Sequence, residues 1–177
     1  MDLNQRIIDP VYCVMDKHYS FKPIIDQRSQ VLILGTLPGP ESLRMGEYYA
    51  NPNNQFWRII YRVFDEEYAG LAYDERIRFL RTHRIALWDV FRSAVRKGAL
   101  DSDIRSEEPN DIPGLLLDHP GLIHILLAGR KAERSFRIHF PDFAVDAVYV
   151  PSTSPAYAKR TFENKVYNWK SAIAAVL

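Results

Sequence analysis

Polarity along the chain follows two rhythms. Four short runs are apolar almost without interruption: residues 31–34 (Val-Leu-Ile-Leu), 85–87 (Ile-Ala-Leu), 123–127 (Ile-His-Ile-Leu-Leu) and 147–150 (Ala-Val-Tyr-Val). A strand with one wet face alternates in polarity, whereas a strand covered on both faces does not. The four runs therefore predict parallel strands of one sheet buried between helices. Between them, apolar residues recur at three- and four-residue steps. Phe56, Trp57, Ile60, Tyr61 and Phe64 predict a helix over 54–64, and Asn110 ahead of Leu115 and Leu116 predicts a short capped one. Residues 130–140 and 162–176 predict two more, the last carrying Val166, Trp169, Ile173 and Val176. Strand and helix alternate, so the expected class is α/β. No repeat, low-complexity tract or Gly/Ser linker interrupts residues 1–177, which are expected to form a single domain.

Composition narrows the class without changing it. In 177 residues, 47% are hydrophobic and 25% charged, as in an ordinary globular domain, and the net charge of +1 excludes a generically basic DNA-coating protein. A domain of this size buries roughly 70% of its unfolded-chain surface, enough to fold without a disulfide or metal. Cys13 stands alone, and no Cys/His cluster has the ligand count of a zinc or iron–sulfur site, so no metal and no cofactor is expected. The opening Met1-Asp2-Leu3-Asn4-Gln5-Arg6 does not read as a signal peptide, and no apolar run approaches roughly 18 residues, so the expectation is a cytoplasmic, membrane-free protein, working as a monomer.

The longest irregular stretches, 35–53 and 151–160, follow the first and last strands. In an open parallel sheet, ligands bind beyond the carboxyl ends of the strands. Gly35-Thr36-Leu37-Pro38-Gly39 is a turn whose backbone N–H groups could cradle a phosphate, sugar or base. It lacks the spacing of a P-loop or a dinucleotide fingerprint, and alone it reads equally well as a tight strand-to-helix connection. The following Tyr48-Tyr49-Ala50-Asn51-Pro52-Asn53-Asn54 joins adjacent rings to a cluster of carboxamides. A tyrosine ring can stack on a heterocycle, and a carboxamide can read a base edge or hold a water. Tyr49 and Asn51 are the functional candidates there; Asn53 or Asn54 is expected to cap the next helix, with Phe56 and Trp57 in the core. Pro151-Ser152-Thr153-Ser154-Pro155-Ala156-Tyr157 brings hydroxyls and rigid prolines to the same sheet edge, groups suited to phosphate oxygens.

With these residues in place, the chain resembles the uracil-DNA glycosylase superfamily, and within it the hypoxanthine-DNA glycosylase (deoxyinosine glycosylase) branch. The pattern Gly-x-x-Pro-Gly followed by Tyr-Tyr-Ala-Asn-Pro-x-Asn-x-Phe-Trp carries the resemblance and is also similar to the mismatch-specific uracil-DNA glycosylases. Leu87-Trp88-Asp89-Val90, residues 98–104 and residues 151–156 add to it. The resemblance implies a three-layer α/β/α sandwich around a four-stranded parallel sheet. It implies a monofunctional enzyme that hydrolyses the N-glycosidic bond of a flipped-out deaminated base in DNA, hypoxanthine first, without a cofactor. Gly35, Thr36, Leu37, Pro38, Gly39 and Tyr49 would form the base pocket, and Asn51 would be catalytic. Pro151, Ser152, Thr153, Ser154, Pro155 and Tyr157 would belong to the loop that grips phosphates and fills the space the base leaves.

Departures from the family pattern carry expectations too. Leu37 stands where uracil-cleaving members have Asp or Asn, and a leucine cannot activate water, so Asn51 is expected to orient the water or the base carbonyl. Leu127-Ala128-Gly129 lacks a base-reading asparagine, which suits a purine better than uracil. Tyr157 reads either as a wedge ring or as an altered loop. Asp89 is expected to cap a helix, and His18, His83, His119, His124 and His139 to be structural or superficial. A binder that kept the fold without turnover, or an enzyme acting on free nucleosides, would be the alternatives. Residues 128–177 hold eight basic against four acidic side chains, a local +4 that predicts a modest basic face, to which Lys165 is counted, beside the second loop.

Overall fold

The computed structural model describes residues 17–142 and 146–175. Cys13 and Val176 lie outside them. The four apolar runs become strands β2 (Val31–Gly35), β3 (Ile85–Asp89), β6 (His124–Ala128) and β7 (Asp146–Val150), numbered with the three strands introduced below. All pair in parallel, in the order β3-β2-β6-β7. Among the described residues six helices accompany them: α1 (Pro40–Met45), α2 (Phe56–Val63), α3 (Tyr73–Thr82), α4 (Ile112–Asp118), α5 (Arg130–His139) and α6 (Phe162–Ala174).

The unbroken apolar character of the strands now has its cause. Successive side chains leave a strand on opposite faces. Val31, Ile33, Ile85, Leu87 and Leu126 face one way, into a core built with α2, α3 and α6; Leu32, Leu34, Ala86, Ile125 and Leu127 face the other, toward α4 and α5. Both faces are covered, giving the expected α/β/α sandwich. Phe56 and Trp169 join α2 to α6 in the first core, fully buried and edge-to-face at 5.9 Å. Truncating a buried aromatic of this kind costs about 3–5 kcal/mol.

A second sheet was not foreseen. Strands β1 (Lys17–Tyr19), β4 (Phe91–Arg96) and β5 (Ile104–Pro109) form an antiparallel sheet in the order β1-β4-β5, and Val90, Phe91, Ala94 and Ile104 extend the second core. It overturns two expectations. Asp89 caps no helix, because it ends β3 one residue before β4 begins. Nor does Asn110 cap α4: Asp111 does so, accepting the Gly114 N–H on Oδ1 at 2.9 Å, while the buried Asn110 donates from Nδ2 to the Asp89 carbonyl at 2.9 Å. At α2 the expectation holds closer to form. Asn54 accepts the Phe56 N–H on Oδ1 at 3.0 Å, one residue ahead of the helix boundary at Gln55. Among the described residues no helix is long and apolar enough to cross a membrane.

Candidate active site

The carboxyl ends of the four parallel strands lie on one side, and the loops leaving them converge on a cleft of about 400 Å³. Gly35, Thr36, Leu37, Pro38, Gly39, Tyr49, Asn51, Ser152, Thr153, Ser154, Pro155 and Tyr157 all line it. Pro151 does not. It is buried beneath the cleft, its carbonyl accepting the indole N–H of Trp169 at 2.9 Å.

The first turn is sewn to the β3–β4 junction. Val90 and Phe91 donate their N–H groups to the carbonyls of Gly35 and Thr36 at 2.9 and 3.1 Å. Gly35 is required by proximity: a Cβ there would stand 2.7 Å from Oδ1 of Asp89 and 3.3 Å from the Tyr49 hydroxyl. Thr36 donates its hydroxyl to Oδ1 of Asp101 at 2.8 Å, and the Pro38 carbonyl accepts from Nη2 of Arg96 at 2.7 Å. Leu37 sinks into the second core with 6% of its surface exposed. Its side chain offers the cleft no polar atom.

Tyr49 sits in the left-handed region at φ +54°, unusual for a bulky side chain, and its ring stacks on Phe56 with centroids 3.9 Å apart and planes at 10°. The neighbouring backbone holds it there, since Ser42 Oγ accepts the Ala50 N–H at 3.2 Å and the Tyr48 carbonyl accepts from the Trp57 indole at 3.2 Å. Burial pushes the Tyr49 hydroxyl well above the usual phenol range, so it stays protonated as a donor. Asn51 Oδ1 accepts the Asn53 N–H at 2.9 Å across Pro52, an Asx turn that fixes the carboxamide. Asn51 lines the cleft, and its Nδ2, which makes no hydrogen bond among the described residues, is left as a donor, the half of the amide suited to a carbonyl, a ring nitrogen or a water oxygen.

Three charged groups complete the floor: Asp89, which the sequence had suggested as a helix cap, and Asp101 and Arg96, which it had not singled out. Asp89 is 4% exposed, lines the cleft, and accepts the Ser20 hydroxyl on Oδ2 at 2.8 Å. Burial raises its carboxyl to about 7, against the opposing hydrogen bonds of Ser20 and Tyr48. Asp101 opens a 3-10 turn (Asp101–Asp103) and is likewise pushed up by its surroundings, with the Thr36 hydroxyl and the charges of Arg96 and Lys131 acting the other way. Arg96 is 2% exposed and stands in the field of both carboxylates. Arg96 closes β4, and nothing local in the sequence marks it as buried.

The second loop is anchored at several points. Thr153 is buried, its carbonyl accepting the Gln55 N–H at 3.0 Å, and Ser152 and Ser154 accept the N–H groups of Ser154 and Ala156 on their hydroxyls, both at 3.3 Å. Gly129 has φ +105°, and a Cβ there would meet Ser152 Cβ at 3.1 Å, so the start of α5 can press against the loop only because this residue is glycine. Lys165 departs from expectation. It is 2% exposed, so it adds nothing to a solvent-facing basic surface; its Nζ instead donates to Gln55 Oε1 at 2.8 Å and the Tyr157 carbonyl at 3.0 Å, clamping the loop to the start of α2. Tyr157 reaches the Tyr149 hydroxyl, whose own proton is held up to about 12, mainly by burial. Arg130 lies 3.8 Å over the Tyr149 ring. Among the described residues no group of His, Cys, Asp and Glu is arranged to hold a metal ion.

A parallel sheet with a base-sized cleft at its carboxyl edge, walled by a glycine turn, a stacked tyrosine and a hydroxyl loop, has the build of a DNA glycosylase. The comparisons bear this out. The profile of the Uracil DNA glycosylase superfamily matches residues 23–177. A curated protein named hypoxanthine DNA glycosylase, from Methanosarcina acetivorans, is 36% identical over 151 residues, covering 85% of this chain and 94% of its own. Another of that name, from Methanosarcina barkeri, is 38% identical over 116 residues, covering 66% and 73%. A solution NMR structure from Methanosarcina acetivorans, described as a candidate uracil DNA glycosylase, superposes with a TM-score of 0.79 at 34% identity over 90% of this chain and 98% of that one. The chain belongs to the uracil DNA glycosylase superfamily, and its class is that of the DNA glycosylases.

Proposed function

We propose that this protein removes hypoxanthine from DNA by hydrolysing its N-glycosidic bond, as the first step of base excision repair. The observation that carries the reading is the convergence in one cleft of the Asn51 amide donor, the Tyr49 ring and the 35–39 turn with the hydroxyl loop. Curated relatives named for hypoxanthine support the choice of base. The target nucleotide leaves the duplex at a cost of a few kcal/mol, least where it is mispaired. Tyr49 then flanks the base while Phe56 backs the ring. Asn51 donates to the base or orients the water, and backbone N–H groups of the first turn stabilise negative charge on the departing purine. Ser152, Thr153 and Ser154 hold the flanking phosphates. Ala128 at the cleft wall offers no carboxamide to a pyrimidine edge, which favours a purine.

The experiment is alkali-revealed cleavage of labelled duplexes containing deoxyinosine, uracil or xanthine, with single-stranded versions beside them. Deoxyinosine is expected to be cut fastest. The buried, apolar Leu37 favours one other reading, a damage-binding protein without turnover; that reading predicts retained affinity and no abasic product from any substrate.

A further inference from the structure

Hydrolysis leaves a proton to be placed, and neither Leu37 nor the Asn51 amide can accept one. We propose that Asp101 is the proton acceptor for the attacking water, with Thr36 holding its carboxylate in place. The inference rests on the glycosylase reading above.

Three carboxylates line the cleft among the described residues: Glu41, Asp89 and Asp101. Glu41 has both oxygens taken by Arg44, at 2.6 and 3.1 Å. Asp89 lies against Gly35, almost fully buried, and its Oδ2 already accepts the Ser20 hydroxyl at 2.8 Å. Asp101 is different in depth and in bonding. It is exposed to the cleft, its Oδ1 is fixed by the Thr36 hydroxyl, and its Oδ2 makes no hydrogen bond among the described residues. That is the geometry of a base that must meet a water near C1′: one oxygen locked, the other presented.

In the step, the water oxygen bonds to C1′ as the C1′–N9 bond breaks. The bond's electron pair leaves with the purine as its anion, and the water proton passes to Oδ2 of Asp101. The charged groups facing Asp101 come from three elements. Arg96 of β4 and Lys131 of α5 favour its ionised form, and Asp89 of β3 opposes it. The Tyr49 hydroxyl, also in its field, stays protonated. Partial desolvation of the Asp101 carboxyl raises its proton affinity above that of an ordinary carboxylate, which strengthens it as a base once ionised.

The test is single-turnover base release from a deoxyinosine duplex between pH 5 and 9, by the wild-type protein, Asp101→Asn and Thr36→Val, with duplex affinity measured in parallel. Wild type is expected to show a rate that falls on the acid side. Asp101→Asn, which keeps an oxygen for the Thr36 hydroxyl, is expected to lose about 10²–10⁴-fold in rate and to lose the acid-side fall, with affinity little changed. Thr36→Val removes a donor that favours the carboxylate, so its acid-side midpoint is expected to move to higher pH. An active wild type whose Asp101→Asn variant keeps its rate, or keeps the acid-side fall, overturns the inference alone. A wild type that releases no base from deoxyinosine, uracil or xanthine duplexes overturns the glycosylase reading and this inference with it.

Discussion

Asp89→Asn makes folding stability the reporter of the cleft floor. The buried carboxyl takes up its proton at about 7 in the folded chain, against 3.8 for an unperturbed aspartate. Between those values the folded state binds the proton and the unfolded state has released it. Stability contributed by this group is therefore fully present below about pH 4 and is lost as the pH rises through 7. Roughly three pH units at 1.36 kcal/mol each set a ceiling of about 4 kcal/mol on that loss. Asparagine keeps the shape and an acceptor for Ser20, whose hydroxyl lies 2.8 Å from the carboxyl, but has no proton to release. Arg96 offsets part of the gain, because the variant leaves it to pair with Asp101 and Asp103 alone. Urea unfolding of both proteins at pH 4.5, 6 and 8, analysed as the difference at each pH, isolates this residue from every other titrating group. The variant is expected to gain on the wild type steadily toward pH 8, by at least 1 and at most about 4 kcal/mol. A difference that stays flat, or that shrinks with rising pH, would refute the placing of a neutral carboxyl under the first turn.

Other substitutions probe the remaining walls. Gly35→Ala puts a methyl 2.7 Å from an Asp89 oxygen whose partner oxygen Ser20 already holds, so thermal unfolding is expected to show a loss of about 1–3 kcal/mol, and base release should fall with it. Lys165→Met removes both hydrogen bonds clamping the second loop; duplex affinity should drop, yet its salt dependence should match the wild type because the buried ammonium meets no phosphate. Arg160→Ala, at an exposed position beside that loop, is expected to do the reverse, lowering the slope of affinity against salt by about one counterion.

The parallel sheet was legible because each of its strands is apolar on both faces. The antiparallel sheet was not, and β5 shows why. Its Ile-Arg-Ser-Glu-Glu-Pro sequence has one buried residue, Ile104, and its pairing relies on Glu108, which accepts from Lys17, Arg92 and Ser93, each at 2.8 Å. Contacts between residues so far apart leave no local trace. Missing that sheet is also what made Asp89 read as a helix cap, since an aspartate ahead of an apolar pair looks alike before a helix or a strand. Helix α3 did carry a signal, with Tyr73, Ile77 and Leu80 on one face and Glu75 Oε2 accepting the Ala72 N–H at 3.0 Å. The cleft residues in the two loops were legible through turn chemistry and side-chain type. The charges at Arg96 and Asp101 and the burial of Lys165 depend on which neighbours the fold delivers, and appear only in three dimensions.

The most direct measurement is the detection of the free base itself. A duplex holding one deoxyinosine, incubated with excess protein and analysed by mass spectrometry, should yield free hypoxanthine with the wild type. With Asn51→Ala, folded to the same melting temperature, it should yield none above background. Hypoxanthine released equally well by both would contradict the role given to Asn51, and release by neither would contradict the activity.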